Sequence, residues 1–183
     1  GRGVLQPEKG AETKVSLMQI DGGRDARYVV AVNDSWIGTQ ADWHQVKERL
    51  IPSERIDAAG RLYDGTEEKL IGTFGPVDCD LSTTIARVYA VLPREIAATA
   101  LAADRSIKAG DDLPVSVSFL DTGKKPLEAV VPFHMSLIRP DGKVDREFYR
   151  STARDGRFAM SIPVAQNAPA GTWTVAARCQ LNG

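Results

Sequence analysis

The sequence predicts an all-β protein built from two tandem antiparallel β-sandwiches. Short runs in which apolar and polar residues alternate recur along the chain, and a period of two is typical of half-buried strands. Turn residues, mainly Gly, Pro and Asp, separate these runs at intervals of roughly 8 to 12 residues, which favours sandwich domains. The 183 residues are enough for two small domains of roughly 100 residues each.

The charge balance argues against two classes of partner. The chain has 23 Lys and Arg residues against 24 Asp and Glu residues, so it lacks the positive potential that nucleic acids and anionic membrane surfaces attract. No apolar run approaches the roughly 18 to 20 residues that cross a bilayer. The chain begins with Gly rather than Met, without the charged and apolar segments of a signal peptide, and we expect an excised piece of a longer protein.

The first half opens with a predicted linker followed by a hairpin. Residues 1–12 contain several glycines and show no periodicity, which is typical of a linker. The alternating residues 15–19 and the β-branched run 27–32 each predict a strand. Because residues 21–23 read Asp-Gly-Gly, these two strands are predicted to form a hairpin.

The segment around Trp43 allows two interpretations. Trp43, Val46 and Leu50 recur at spacings of three and four, which is the pattern of a short amphipathic helix near residues 41–50. Residues 45–50 also alternate as an edge strand does. The sequence leaves both alternatives open.

The remainder of the first half predicts strands separated by turns. They are residues 61–64, 69–72, 77–81 and 85–92. In residues 77–81 the apolar side chains fall on one face and two aspartates fall on the other. This pattern predicts a half-buried strand.

Pro93 marks the predicted domain boundary, because a strong strand ends there and a second series of short strands follows. The first domain is predicted over residues 13–93 and the second over residues 94–183. Strands are predicted in the second domain at residues 96–103, 113–120, 129–138, 147–151, 157–162 and 172–181. In the last of these strands, Trp173 and Cys179 are predicted to face the core.

The second half has a characteristic order of turns and strand starts, at residues 108–111, 115–119, 121–124, 126–127, 138–143, 155–158 and 170–175. In these segments it resembles the immunoglobulin-like (Ig-like) sandwich of bacterial macroglobulin-like proteins. The first half has a comparable series at residues 26–34, 62–64, 69–71, 77–81 and 86–93. In these segments it is similar to the β-sandwich accessory domains of large secreted glycoside hydrolases.

The resemblance implies a non-catalytic accessory or spacer unit of a larger exported bacterial protein, linked to a carbohydrate-active enzyme. The implied location is extracytoplasmic: secreted, periplasmic or at the cell surface. The implied partners are neighbouring domains of the same polypeptide, with a polysaccharide as a further candidate. No nucleic acid and no membrane insertion are expected.

Two other functions stay open at this point. Trp36 and Trp43, with His44 beside them, would serve a carbohydrate-binding module if they formed a platform on which sugar rings stack. The chain would otherwise be a surface module that binds another protein.

The residue types that carry chemistry do not form a predicted catalytic or metal site. His134 is predicted on the solvent side of its strand. Asp78 and Asp80 are separated by roughly 7 Å along a strand, which is near the spacing of glycosidase carboxylates. They are nevertheless predicted as a pair on a solvated sheet face that aids solubility and protects a sheet edge. Cys79 and Cys179 are predicted as buried free thiols in two different cores. We therefore predict no catalytic residue, no metal and no cofactor.

Overall fold

The structure is a computed structural model that describes residues 4–8, 13–24, 26–37, 46–53 and 60–183. Within these residues the chain forms fourteen strands and one short 3-10 helix, and all strand pairings are antiparallel. The predicted all-β fold of antiparallel sheets is confirmed. The chain divides into two compact units, essentially residues 1–95 and 96–181. Among the described residues, no helix is long and apolar enough to cross a membrane.

The described residues of the first unit form two sheets. Its strands are β1 (Leu5–Pro7), β2 (Val15–Asp21), β3 (Arg27–Asn33), β4 (Lys47–Pro52), β5 (Arg61–Asp64), β6 (Lys69–Thr73), β7 (Val77–Asp80) and β8 (Ala86–Leu92). The 3-10 helix, Asp34–Ile37, directly follows β3. The three-stranded sheet has the order β1-β4-β7, and the five-stranded sheet has the order β2-β3-β8-β5-β6. The predicted β2–β3 hairpin is confirmed.

An apolar cluster fills the space between these two sheets. Leu50 and Cys79 enter it from the three-stranded sheet, whereas Val29, Leu62 and Tyr89 enter it from the five-stranded sheet. Alternation along each strand places these side chains inside and leaves the polar neighbours outside. The predicted half-buried strand is confirmed in β7, in which buried and exposed residues alternate.

The start of the chain corrects the predicted linker. β1 pairs with β4, and Val4 and Leu5 are only 5% and 3% exposed. These two apolar side chains cover the edge of the core. Their burial stabilises a strand here, although the segment is too short to show periodicity in the sequence. The linker prediction for residues 1–12 is therefore wrong at Leu5–Pro7.

The segment that leads to Pro52 is a strand in the residues that the structure describes. β4 begins at Lys47, so the helix alternative for residues 41–50 is wrong from that residue on, and residues 41–45 lie outside the described residues. The strand alternative also needs a correction, because β4 lies between β1 and β7 rather than at an edge. Leu50 is paired with both Pro7 and Val77, and this two-sided pairing favours the extended backbone.

The second unit also contains two sheets. Its strands are β9 (Ala98–Ala103), β10 (Asp112–Leu120), β11 (Pro132–Ile138), β12 (Val144–Ser151), β13 (Arg157–Pro163) and β14 (Thr174–Cys179). The sheet orders are β13-β10-β9 and β12-β11-β14. The predicted strands are confirmed with shifted ends, since residues 129–131 precede β11 and residues 172–173 precede β14.

Three phenylalanines join the two sheets of the second unit. The ring centroids of Phe119 and Phe133 are 5.9 Å apart, and those of Phe133 and Phe158 are 5.1 Å apart at an interplanar angle of 74°. Such tilted and edge-to-face pairs contribute beyond simple burial. Gly156 permits the turn that leads into β13, because its φ is +76° and a Cβ there would lie 1.6 Å from the Leu127 carbonyl oxygen.

Candidate functional site

The predicted sugar platform belongs to the first unit and is described only in part. Trp36 lies in the 3-10 helix, whereas Trp43 and His44 lie outside the described residues. The helix starts beside the buried Asn33, whose Oδ1 accepts hydrogen bonds from the Ser35 backbone N–H at 3.0 Å and from the Ser35 hydroxyl at 2.6 Å. The platform of Trp36, Trp43 and His44 stays a prediction.

A cleft of about 230 Å³ lies at one end of the second unit. Leu137 from the end of β11, Arg146 from the start of β12 and Trp173 from just before β14 line it together. Val164, Ala165 and residues 167–169, which follow β13, also line it. The cleft therefore combines an aromatic ring, apolar surface and charged groups in one concave site.

Two close contacts hold the aromatic wall of this cleft. The indole N–H of Trp173 donates a hydrogen bond to the Pro169 carbonyl oxygen at 3.0 Å. Gly171 has a φ of +136°, and a Cβ at this position would lie 2.9 Å from the Pro140 side chain. Glycine alone tolerates this combination without strain. The loop before Trp173 can thus pack against the turn between β11 and β12.

Asp145 holds the two arginines of the cleft. The Nε of Arg139 lies 2.8 Å from Asp145 Oδ1, and the Nε of Arg146 lies 3.4 Å from Asp145 Oδ2. Neither guanidinium group makes a further hydrogen bond to a described residue, so their Nη groups are available to a ligand. One carboxylate balances only one of the two guanidinium groups, and the cleft keeps an excess positive charge.

Trp173 corrects the prediction that it belongs to the core. It is only partly buried and lines the cleft, whereas Cys179 at the other end of β14 is 3% exposed. The inward face of β14 is thus covered at one end and open at the other. The sequence signal for this opening is Arg146, which pairs in register with the buried Leu137 and therefore shares the inward face of its sheet.

Asp78 and Asp80 form cross-strand ion pairs on the outer face of the three-stranded sheet. Asp78 Oδ1 lies 2.9 Å from an Nη of Arg49, and Asp80 Oδ2 lies 2.9 Å from the Nζ of Lys47. Hydrogen bonds from the hydroxyl and backbone N–H of Ser82, with the Lys47 ammonium, hold the pKa of Asp80 well below its usual range. The two carboxylates are thereby committed to the β4–β7 pairing.

Arg87 of β8 is a functional feature of the first unit that the sequence did not reveal. Its Nε donates to the Asp80 carbonyl oxygen at 2.7 Å, and its Nη1 donates to Asp64 Oδ2 at 2.7 Å and to Glu67 Oε1 at 2.8 Å. The Arg87 and Asp64 side chains are 14% and 6% exposed. Asp80 ends β7 in one sheet and Arg87 belongs to the other, so this guanidinium links the two sheets.

Hydrogen bonds fix the acidic partners of Arg87. Asp64 Oδ1 accepts from the backbone N–H groups of Thr66 and Glu67 at 2.9 and 3.1 Å. Lys69 and Arg87 both contact the Glu67 carboxylate and lower the pKa of that group. The guanidinium thus meets a carboxylate whose position the turn itself determines.

The two cysteines are free thiols inside their units, as predicted. Cys79 and Cys179 are 1% and 3% exposed. Burial raises the pKa of the Cys79 thiol, although a hydrogen bond with Tyr89 and the charge of Arg87 act in the opposite direction. Burial likewise raises the pKa of Tyr89. Both side chains are therefore held in their neutral forms.

His134 points away from the core, as predicted, but Tyr149 covers it. The two rings stack with centroids 4.6 Å apart and an interplanar angle of 24°. The His134 Nε2 lies 3.3 Å from Glu147 Oε1, and the His134 side chain is 23% exposed. The imidazole is thus part of a cross-strand cluster on the outer face of β11 and β12.

No model of a protein family matches this chain, and no curated protein matches it. Among solved structures, the chain is similar to the native conformation of the alpha-2-macroglobulin of E. coli, from a cryo-EM single-particle reconstruction. The sequence identity is 15% and the TM-score is 0.38. The match covers 83% of this chain and 13% of that protein's chain, so this chain spans only a small part of its length.

The described part of the chain is a module of two β units with two kinds of polar cluster. In the first unit, charged groups face one another and join strands. In the second unit, two guanidinium groups face a cleft beside an indole ring. Within the described residues, no group of three or more His, Cys, Asp or Glu side chains is arranged to hold a metal ion.

Proposed function

We propose that the chain is a non-catalytic accessory unit of a larger exported bacterial protein, in which paired β-sandwiches space and support a neighbouring domain of a carbohydrate-active enzyme. The observation that carries this proposal is the way Arg87 binds Asp64, Glu67 and the Asp80 carbonyl at once. A guanidinium used in this way resists sliding of one sheet over the other, because each of its contacts has a narrow geometry. Stiffness is the property that a spacer requires.

The carboxylates of the first unit also support a structural role. A general acid or base needs room for a substrate or a water molecule within hydrogen-bond reach. Asp78 and Asp80 instead hold Arg49 and Lys47 at 2.9 Å. These side chains stabilise the pairing of β4 with β7, which is the role of opposite charges placed directly across two strands.

Hydrolysis assays on the whole chain test the non-catalytic part of this proposal. We expect the release of reducing sugar from a panel of neutral and acidic polysaccharides to stay at the level of a protein-free control. The double variant Asp78→Asn/Asp80→Asn should give the same result. Turnover by the native chain that disappears in this double variant would show that the carboxylates are catalytic, and the proposal would be abandoned.

A distance measurement tests the spacing role. The chain is placed between two fluorescent proteins, and its energy-transfer distribution is compared with that of a Gly/Ser linker of equal length, which behaves as a flexible coil. We expect a narrower distribution for the chain. A distribution as broad as that of the Gly/Ser linker contradicts a spacer.

Saturable binding of a neutral glycan that is lost in Trp36→Ala/Trp43→Ala would instead favour the carbohydrate-binding alternative at the predicted platform.

A further inference from the structure

We propose that the cleft beside Trp173 binds a carboxylate-bearing sugar ring, such as a hexuronate residue of an acidic saccharide. The proposal goes beyond the spacing role, and it concerns the second unit alone. It is also distinct from the predicted platform of Trp36, Trp43 and His44, which belongs to the first unit.

The size and the aromatic wall of the cleft suit one small ring. Its volume of about 230 Å³ lies just below the range of about 300–1,000 Å³ that is usual for drug-sized ligands. The indole of Trp173 is tied to the Pro169 carbonyl by its N–H group, so little rotational freedom remains to be lost on binding. The apolar face of a pyranose can stack on such a fixed ring.

The charges of the cleft select an anionic ligand. Arg139 and Arg146 use their Nε atoms on Asp145, which orients both guanidinium groups and leaves their Nη donors for a ligand. Planar guanidinium groups match carboxylate geometry through paired N–H donors. A carboxylate that enters the cleft supplies a second negative charge beside the two arginines, of which Asp145 balances only one.

The remaining lining favours a hydroxyl-rich ring over an acidic peptide. Asn167 lines the same cleft, and its side-chain amide makes no hydrogen bond to a described residue. An amide can donate to one hydroxyl group and accept from another. An acidic side chain of a peptide would satisfy the arginines, but it would leave the indole face of Trp173 and this amide unused.

Titration of D-glucuronate into the whole chain, followed by the indole N–H signals of its three tryptophans, tests the proposal. The signal of Trp173 is assigned from the variant Trp173→Phe. We expect this signal to shift saturably at millimolar ligand, and the shift to weaken as salt rises. D-glucose, which lacks the carboxylate, and acetate, which lacks the ring, should produce no saturable shift.

Variants on one strand separate binding from folding. Arg146→Gln should weaken glucuronate binding by about tenfold or more, because a charge-assisted hydrogen bond is lost. Arg150→Gln is the matched control on β12, since Arg150 lies over the Phe148 ring at 5.7 Å and does not line the cleft. Binding by this control should be unchanged. If Arg146→Gln does not fold, Arg139→Gln in the adjoining turn supplies the same comparison.

Several results would overturn the proposal. Acetate that shifts the Trp173 signal as strongly as glucuronate shows a plain anion site, and equal binding of glucose shows that the arginines play no part. A Glu-rich peptide that binds where glucuronate does not identifies a protein ligand. No shift with glucuronate, combined with a lower melting temperature of Arg146→Gln, makes Arg146 a structural residue that acts through its ion pair with Asp145. None of these results bears on the spacing role.

Discussion

The two units join their sheets by different physical means. In the first unit, the Arg87 guanidinium spans both sheets and the Tyr89 hydroxyl contacts the Cys79 thiol across them. In the second unit, Phe133 contacts Phe119 and Phe158 of the facing sheet. Polar links depend on charge and geometry, whereas aromatic packing depends on shape and burial. The two units should therefore respond differently to the same perturbation.

A natural reporter in each unit makes this difference measurable. The chain has two cysteines, Cys79 in the first unit and Cys179 in the second, and both are free and buried. A thiol reagent reaches each one only after local or global opening of its unit. Labelling rates of the two thiols, read by peptide mass spectrometry, thus give the opening free energy of each unit within the same intact chain.

The largest effect is expected from Phe133→Ala. Phe133 is 0% exposed and contacts two other rings, so its loss should lower the free energy of unfolding of the second unit by about 3–5 kcal/mol. Labelling of Cys179 should accelerate while that of Cys79 stays the same. The control Val144→Ala removes an apolar side chain that is 50% exposed, and it should change stability by less than about 0.5 kcal/mol. Equal acceleration at both thiols would refute separate opening of the units.

A somewhat smaller effect is expected from Arg87→Met. This variant leaves the Asp64 carboxylate, 6% exposed, without its cation, and removal of one partner of a buried pair costs about 3 kcal/mol. The labelling of Cys79, not of Cys179, should accelerate. Adding Asp64→Asn should restore part of the loss, because the buried charge is then absent.

Arg49→Met is the matched control for Arg87→Met. It makes the same change of charge, but the Arg49 and Asp78 side chains are 48% and 81% exposed, so the loss should stay below about 1 kcal/mol. If both variants destabilise the first unit equally, Arg87 does not link the sheets in the way its contacts indicate.

The Phe133 and Arg87 contacts also show why the sequence predicts the second unit more fully than the first. The strands of the second unit follow from alternation and turn residues, and the inward face of β11 emerges directly from that pattern. Arg87 meets Asp64 and Asp80 only after two sheets have packed. Alternation predicts which face of a strand a side chain lies on, but not which residue of the other sheet it contacts. This contact therefore could not be predicted from the sequence.

The same limit explains the two errors in the placement of side chains. Val4 and Leu5 carry too short a pattern to be distinguished from a linker, and their burial is decided by the pairing of β1 with β4. Trp173 lies on the inward face of its segment, yet the facing loop leaves a cleft there. Periodicity predicts which way a side chain points, whereas the amount of cover depends on the facing loops and sheet.

A smaller effect is expected from Tyr89→Phe. The variant removes the hydroxyl that hydrogen-bonds the Cys79 thiol, and the loss of a buried hydrogen bond should cost the first unit about 1 kcal/mol. The pKa of each group is raised in the folded chain from its ordinary value, 9.0 for the thiol and 10.0 for the phenol. The contribution of these two groups to the free energy of unfolding is therefore complete below those values and falls as the pH rises above them. Urea unfolding at pH 7 and 10 should show a shallower alkaline loss in the variant than in the native chain.

The smallest effect is expected at acid pH, at the surface ion pairs of the first unit. The Ser82 hydrogen bonds lower the pKa of Asp80 below its ordinary value of 3.8. The contribution of this carboxylate is thus complete above that value and is lost as the pH falls below it, since protonation removes the favoured charged form. In Asp80→Asn, the free energy of unfolding measured in urea should fall less between pH 5 and 2.5 than it does in the native chain, and Ser82→Ala should give an intermediate loss. An equal loss in Asp80→Asn and in the native chain would assign the acid response to other carboxylates.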